Sequence, residues 1–161
     1  MIYLRFEIAE QIYVLGSDAI VEVIPFLPVN KMAHSSPVLA GTLNYRGNLI
    51  PVIDLAMLFS HKPSKQLACT RIVVVNFHRV QDESLLLAFI VEQATETMKF
   101  EKGEFTPEVV SNKHIPYSGS AMLSNGELVF CLEVEKIIPH EIASQLYPQQ
   151  DIHGEPVNHV N

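Results

Sequence analysis

Asp54 and Glu133 are the first residues here to test for chemistry, because two carboxylates can share general acid and general base work. Each, however, opens a short apolar segment, Leu-Ala-Met-Leu-Phe after Asp54 and Val-Glu-Lys-Ile-Ile after Glu133. A carboxylate in that position accepts backbone N–H groups as a helix N-cap, which accounts for both without catalysis. Seven histidines raise the question of a metal. His34, His61, His78, His114 and His140 are far apart, and no pair has the spacing that sets two ligands on one element. His153 and His159 stand in a polar C-terminal stretch. Gly41 to Gly47 lacks the lysine of a phosphate loop, and Ser118-Gly119-Ser120 reads as a strand entry and not as a nucleophile elbow. The expectation is no catalytic group, no metal and no cofactor. An enzyme would need Asp54, Glu133 and a histidine to converge.

Arg46 is different. It stands between Tyr45 and Gly47 at a turn between two strands, where a guanidinium can fork onto a partner's carboxylate or carbonyl. A solvated turn arginine is the alternative. Ile20 and Glu22 carry a similar ambiguity, since an isoleucine opening a strand is usually core and a glutamate two residues on usually faces water.

What positions these residues is a repeat. Gly47-Asn-Leu-Ile-Pro-Val-Ile-Asp-Leu-Ala-Met-Leu-Phe59 aligns without a gap on Gly126-Glu-Leu-Val-Phe-Cys-Leu-Glu-Val-Glu-Lys-Ile-Ile138. Asp54 then meets Glu133. Each copy reads as glycine turn, buried strand, acidic cap and short amphipathic helix. Such a repeat predicts two similar modules in a two-lobed β protein, with the two carboxylates on separate lobes.

The chain of 161 residues can bury a real core, and with 48% apolar and 18% charged residues it reads as folded. A formal net charge of −7 without a Lys/Arg stripe argues against nucleic-acid binding. No apolar run approaches membrane-spanning length, so direct membrane insertion is not expected. The alternating N-terminus does not read as a signal peptide. Cys69 and Cys131 would allow one disulfide, but two buried thiols in a reducing cytoplasm are the preferred reading.

Strands are expected at 2–8, 12–15, 20–26, 38–45, 49–53, 70–77, 85–91, 94–100, 119–123 and 127–132. Pro51 cannot donate to a ladder, so one side of its strand must be an edge or a bulge. Segments 72–75 and 85–91 are apolar enough to be buried on both faces and to form the seam between lobes. Val21 to Phe26 aligns with Thr95 to Phe100. Helices are expected at 55–59 and from Pro139 to about Tyr147. Ten short strands in two sets of five imply two small barrels.

Ala40-Gly41-Thr42-Leu43-Asn44-Tyr45-Arg46-Gly47-Asn48-Leu49-Ile50-Pro51-Val52-Ile53-Asp54-Leu55 closely resembles the hallmark of CheW-like domains. Ile20 to Ile24, Phe89 to Thr97 and Ile115 to Ile138 resemble further segments of that family, and the likeness covers roughly residues 1–140. The resemblance implies an all-β fold with short helices, made of two five-stranded SH3-like β-barrels around a shared hydrophobic core. It implies one domain over residues 1–147, with lobes at roughly 15–70 and 1–14 plus 71–140, and a flexible tail over 148–161. It implies a non-catalytic cytoplasmic adaptor, peripheral to membrane-anchored receptor arrays. That adaptor couples the cytoplasmic tip of a methyl-accepting chemoreceptor to the regulatory, CheW-like domain of a CheA-type histidine kinase. A stand-alone kinase-binding regulator is the alternative. Carried over by position, the receptor-binding set is Ile20, Glu22, Arg46, Arg71 and Thr97. Arg71 and Thr97 stand where family members often carry valine, and Tyr45 replaces the usual leucine. The segments Asn-Tyr-Arg-Gly, Thr70 to Val73 and Glu92 to Thr97 look more like a second coupling protein of Wsp-type surface-sensing pathways.

Overall fold

The computed structural model describes residues 1–33, 35–78, 84–107, 120–138 and 140–146. In β1 (Ile2–Ile8) and β2 (Gln11–Gly16), joined through Ala9-Glu10, the alternating pattern becomes a tight antiparallel hairpin. β3 (Ile20–Pro25) follows, then the hairpin β4 (Leu39–Tyr45) and β5 (Asn48–Asp54), and helix α1 (Leu55–Ser60). β6 (Arg71–His78) leads to β7 (Ser84–Lys99), which is one strand of 16 residues where two were expected. After a 3-10 turn at Lys102–Glu104 come β8 (Thr106–Pro107), β9 (Ser120–Ser124), β10 (Glu127–Leu132), α2 (Val134–Ile137) and α3 (His140–Leu146). The start and end expected for the last helix, Pro139 and Tyr147, and the tail 148–161 lie outside the described residues.

Two five-stranded barrels share β7. Lobe I has the order β3-β6-β7-β5-β4, and lobe II has β7-β1-β2-β10-β9 with β8 added at the edge. The first half of β7 serves lobe I and the second half serves lobe II. The changeover sits at Gln93, whose φ is 53°, and at a bulge where Glu7 pairs with Glu92 but Arg5 pairs with Glu96. A bulge adds residues to one strand, bends it and re-aims it. The switch between lobes therefore falls inside β7. This corrects the expected division at residue 71, because β6 and residues 84–91 pair within lobe I.

The registers show how far the duplication extends. Val52 pairs in parallel with Ala88 as Cys131 does with Val14. Val73 faces Phe89 as Leu4 faces Leu15, and Val23 faces Val73 as Thr97 faces Leu4. Hence β3, β4, β5, β6 and the first half of β7 correspond in order to the second half of β7, β9, β10, β1 and β2. The last two strands of the second copy come from the beginning of the chain. The likeness of 20–26 to 94–100 is part of this plan, whereas 70–91 answers to β1 and β2.

Three cores follow from the alternation of side chains. Ile72, Val74, Ala88 and Ile90 point into lobe I with Leu43, Tyr45, Ile50 and Val52. Tyr3, Val14, Ile12, Val129 and Phe100 fill lobe II. Val73, Val75, Leu87 and Phe89 point the other way, into a core shared with Leu4, Phe6, Leu15, Phe130 and Leu132. Segments 72–75 and 87–89 are thus fully buried on both faces and form the seam. Helices α1 and α2 close the shared core with Leu55, Leu58, Val134 and Ile137.

Two backbone details fix lobe I. Thr42 exchanges both backbone hydrogen bonds with Asn30, at 2.9 Å each, so its pairing with Pro51 needs no N–H from the proline. The parallel ladder to β7 begins at the next residue, Val52. The approach of Asn30 is so close that a Cβ on Gly41 would lie 2.2 Å from its carbonyl oxygen, which is why glycine stands there.

Candidate interaction site at the Arg46 turn

Arg46 and Gly47 have φ of 48° and 85°, and Tyr45 pairs with Asn48 across them. This is a two-residue hairpin of type I′, whose twist matches the flanking strands. Asn125 and Gly126, at 49° and 79°, make the matching hairpin of lobe II. Asn44 Oδ1 accepts the Gly47 N–H at 3.0 Å and steadies the first turn. An arginine costs more in this left-handed conformation than the asparagine of the second copy, by roughly 1 kcal/mol.

The turn places Arg46 beside Glu22 of β3. Arg46 Nη2 donates to Glu22 Oε2 at 3.2 Å, and the Tyr45 hydroxyl donates to the same oxygen. The guanidinium lies 5.2 Å from the Tyr45 ring centre. The hydrogen bond to Glu22 raises the Tyr45 phenol above its usual range, so the hydroxyl keeps its proton. With β4 not laddered to β3, these side chains and the Asn30–Thr42 bridge close the barrel. The Arg46 side chain remains 74% exposed, so it is braced in place with donors to spare.

A bulge in β3 decides which of its side chains reach the site. Ile20 pairs with Val75 but Glu22 pairs with Val74. Ile20 therefore packs against the shared core, while Glu22 turns to the mouth of lobe I and is half-buried there. The outward residues are Val21 and Val23, 41% and 39% exposed. Sequence reasoning did not select these two valines; the signal was their alternation around Glu22.

The other expected residues lie elsewhere. Arg71 pairs with Pro25 at the far end of the β3–β6 ladder, and its Nη1 donates to Thr70 O at 3.0 Å and to Ala68 O. Thr97 is exposed on the lobe II half of β7, at the position equivalent to Val23. Opposed residues of a ladder share a face. Val23 opposite Val73 and Thr97 opposite Leu4 therefore both sit at the margin of the shared core, one on each lobe.

The two carboxylates part company. Asp54 Oδ1 accepts from Ala56 N at 3.0 Å and Met57 N at 3.3 Å, capping α1. Glu133 stands at the equivalent place before α2 but makes no side-chain cap; its longer carboxylate pairs with Lys136 at 2.8 Å. This corrects the expected cap at Glu133. Among the described residues, no three His, Cys, Asp or Glu side chains cluster as metal ligands, and no helix is long and apolar enough to cross a membrane. Cys69 and Cys131 are free and half-buried.

The profile of the CheW-like domain matches residues 3–141. The chain is 27% identical over 139 residues to a chemotaxis protein CheW of Helicobacter pylori, covering 84% of this chain and 80% of that protein. It is 27% identical over 135 residues to the chemotaxis protein CheW of Thermotoga maritima, covering 84% and 85% of the two chains. Its fold is similar to the crystal structure of the scaffolding protein TtCheW from Thermoanaerobacter tengcongensis, with a TM-score of 0.74 at 19% identity over 86% of this chain and 87% of that one. With the double barrel and the family profile running together from β1 to α3, the chain belongs to the CheW-like domain family.

Proposed function

We propose that this protein is a non-catalytic cytoplasmic adaptor that couples the cytoplasmic tip of a methyl-accepting chemoreceptor to a CheA-type histidine autokinase. The observation that carries the reading is the braced and exposed guanidinium of Arg46, set beside outward-facing Val21 and Val23, in a chain of the CheW-like family. The valines offer apolar area to a receptor helix, and Arg46 offers a charge-assisted hydrogen bond to its polar edge. Thr97 extends the surface onto lobe II. Arg71 contributes through the β6 end, and Ile20 supports the strand from beneath. The kinase's regulatory domain meets the free barrel ends, where Leu49 and Leu123 are exposed near the two hairpins. Contacts of this size are weak singly, on the order of micromolar, and an array strengthens them by multivalency.

A pull-down with receptor tip alone tests the coupling role. A bridging adaptor retains the tip without kinase present. Capture of the tip only when kinase is added would instead mark a kinase-binding regulator.

A further inference from the structure

Lobe II holds a pocket of about 320 Å³ whose walls include Met1, Gly16, Asp18, Cys131 and Glu133. The strand registers give each wall a counterpart in lobe I. Glu133 answers to Asp54, Cys131 to Val52, Gly16 to Ile90 and Met1 to Thr70. Ser17 N–H donates to Ile2 O at 3.0 Å, which carries the register one residue past Gly16 and makes Asp18 the counterpart of Glu92.

In lobe I the chain itself fills this place. The linker between α1 and β6 lays Ser64 and Lys65 across the two carboxylates. Ser64 N–H donates to Asp54 Oδ2 at 2.9 Å and its hydroxyl to Asp54 Oδ1, while Lys65 N–H donates to Glu92 Oε1 at 2.7 Å. Thr70 Oγ1 then donates to Lys65 O. In lobe II the equivalent of β6 is β1, which comes before α2 in the chain, and α2 is followed by α3, so among the described residues no linker crosses this place. Both acidic positions are nevertheless kept. Among the described residues, no backbone N–H donates to either side chain, and Glu133 pairs with Lys136.

We propose that this pocket takes an extended peptide from a partner protein, a serine or threonine followed by a basic residue, held by its backbone N–H groups on Glu133 and Asp18 as Ser64 and Lys65 are held on Asp54 and Glu92. The lining side chains set Asp18, Glu133 and Glu135 against Lys102, which favours a basic residue over an acidic one. The chain's own residues 147–161 are a poor match in composition, with Asp151 and Glu155 but no serine, threonine, lysine or arginine.

The test is a titration of the isotope-labelled full chain, followed by amide NMR, with the blocked peptide His-Lys-Pro-Ser-Lys-Gln-Leu-Ala, the sequence of residues 61–68. Progressive shifts are expected at Asp18, Ala19, Leu132 and Glu133, with Val73 and Val74 unmoved. The same peptide N-methylated at its serine and lysine should bind at least about tenfold more weakly, a comparison that leaves the protein untouched. Asp18→Asn combined with Glu133→Gln should weaken the unmodified peptide to a similar degree. No shifts up to roughly 5 mM peptide, equal binding of the N-methylated peptide, or shifts confined to lobe I would overturn the proposal. So would movement of residues 147–161 in the peptide-free double variant, which assigns the pocket to the chain's own tail. A dimer dispersed by that variant would assign it to a second copy, with the same result.

Discussion

Arg46→Glu should abolish receptor binding while barely touching the fold, and the structure sets the size of both effects. The ion pair that is lost is exposed, with side-chain accessibilities of 74% and 38%, so it is worth about 0.2–1 kcal/mol. The new carboxylate stands near Glu22, and two like charges about 4 Å apart in water repel by about 1 kcal/mol. The left-handed φ of 48° burdens arginine and glutamate alike and cancels. The sum is about 1–2 kcal/mol, a fall in Tm of roughly 2–8 °C for a domain of this size. Removing one partner of a desolvated charge pair costs an interface about 2–5 kcal/mol, so affinity should fall by about 30-fold or more. Calorimetric titration with purified receptor tip reads the second effect and thermal melting the first. Arg46→Gly serves as a companion, since glycine relieves the left-handed backbone and should melt within about 1 kcal/mol of wild type while still losing the receptor. If folded Arg46→Glu binds the tip as wild type does, the site is misplaced. If it melts more than about 15 °C lower, Arg46 is a structural residue and not a docking one.

Other substitutions separate the two halves of the repeat. Asp54→Ala removes a side chain that accepts from Ala56, Met57 and Ser64, and should cost about 1–3 kcal/mol in urea unfolding; Glu133→Ala removes no cap and should cost under about 1 kcal/mol. Equal losses at the two positions would contradict the asymmetry described here. Leu132, 2% exposed in the shared core, has no partner for a charge, so Leu132→Asp should cost more than about 4 kcal/mol and abolish the cooperative melt. A soluble variant with a sharp transition would contradict the placement of that strand.

Much of this architecture was legible because the repeat is written in local terms. The glycine turn, the buried run and the following short helix fall within about a dozen residues, and Asn125-Gly126 names its own hairpin. Unbroken apolar runs also marked 72–75 and 85–91 as buried on both faces, which holds for 72–75 and for 87–89, while Leu85 and Leu86 are half-buried. What was hidden depends on partners distant in the chain. A pattern of apolar residues says which face is buried, but not that β1 and β2 complete the second copy. The bulge at Val21 set Ile20 and Glu22 on opposite faces of β3, where alternation puts residues two apart on one face and cannot count an extra residue. At Gln93 a polar residue read as a break between two strands, yet the ladder to β1 continues past it. Glu133 matched Asp54 in charge, but one added methylene was enough to exchange a cap for Lys136. Arg46 stood out by type and setting, whereas its anchor on Glu22 required the fold.

The central claim is that a barrel surface around Arg46 joins receptor to kinase. Reconstitution of receptor tip, CheA-type kinase and this protein, read as kinase autophosphorylation, tests it most directly. Receptor control of the kinase should appear only when all three are present, and should vanish with Arg46→Glu. Receptor control that is unchanged when this protein is left out would contradict the account.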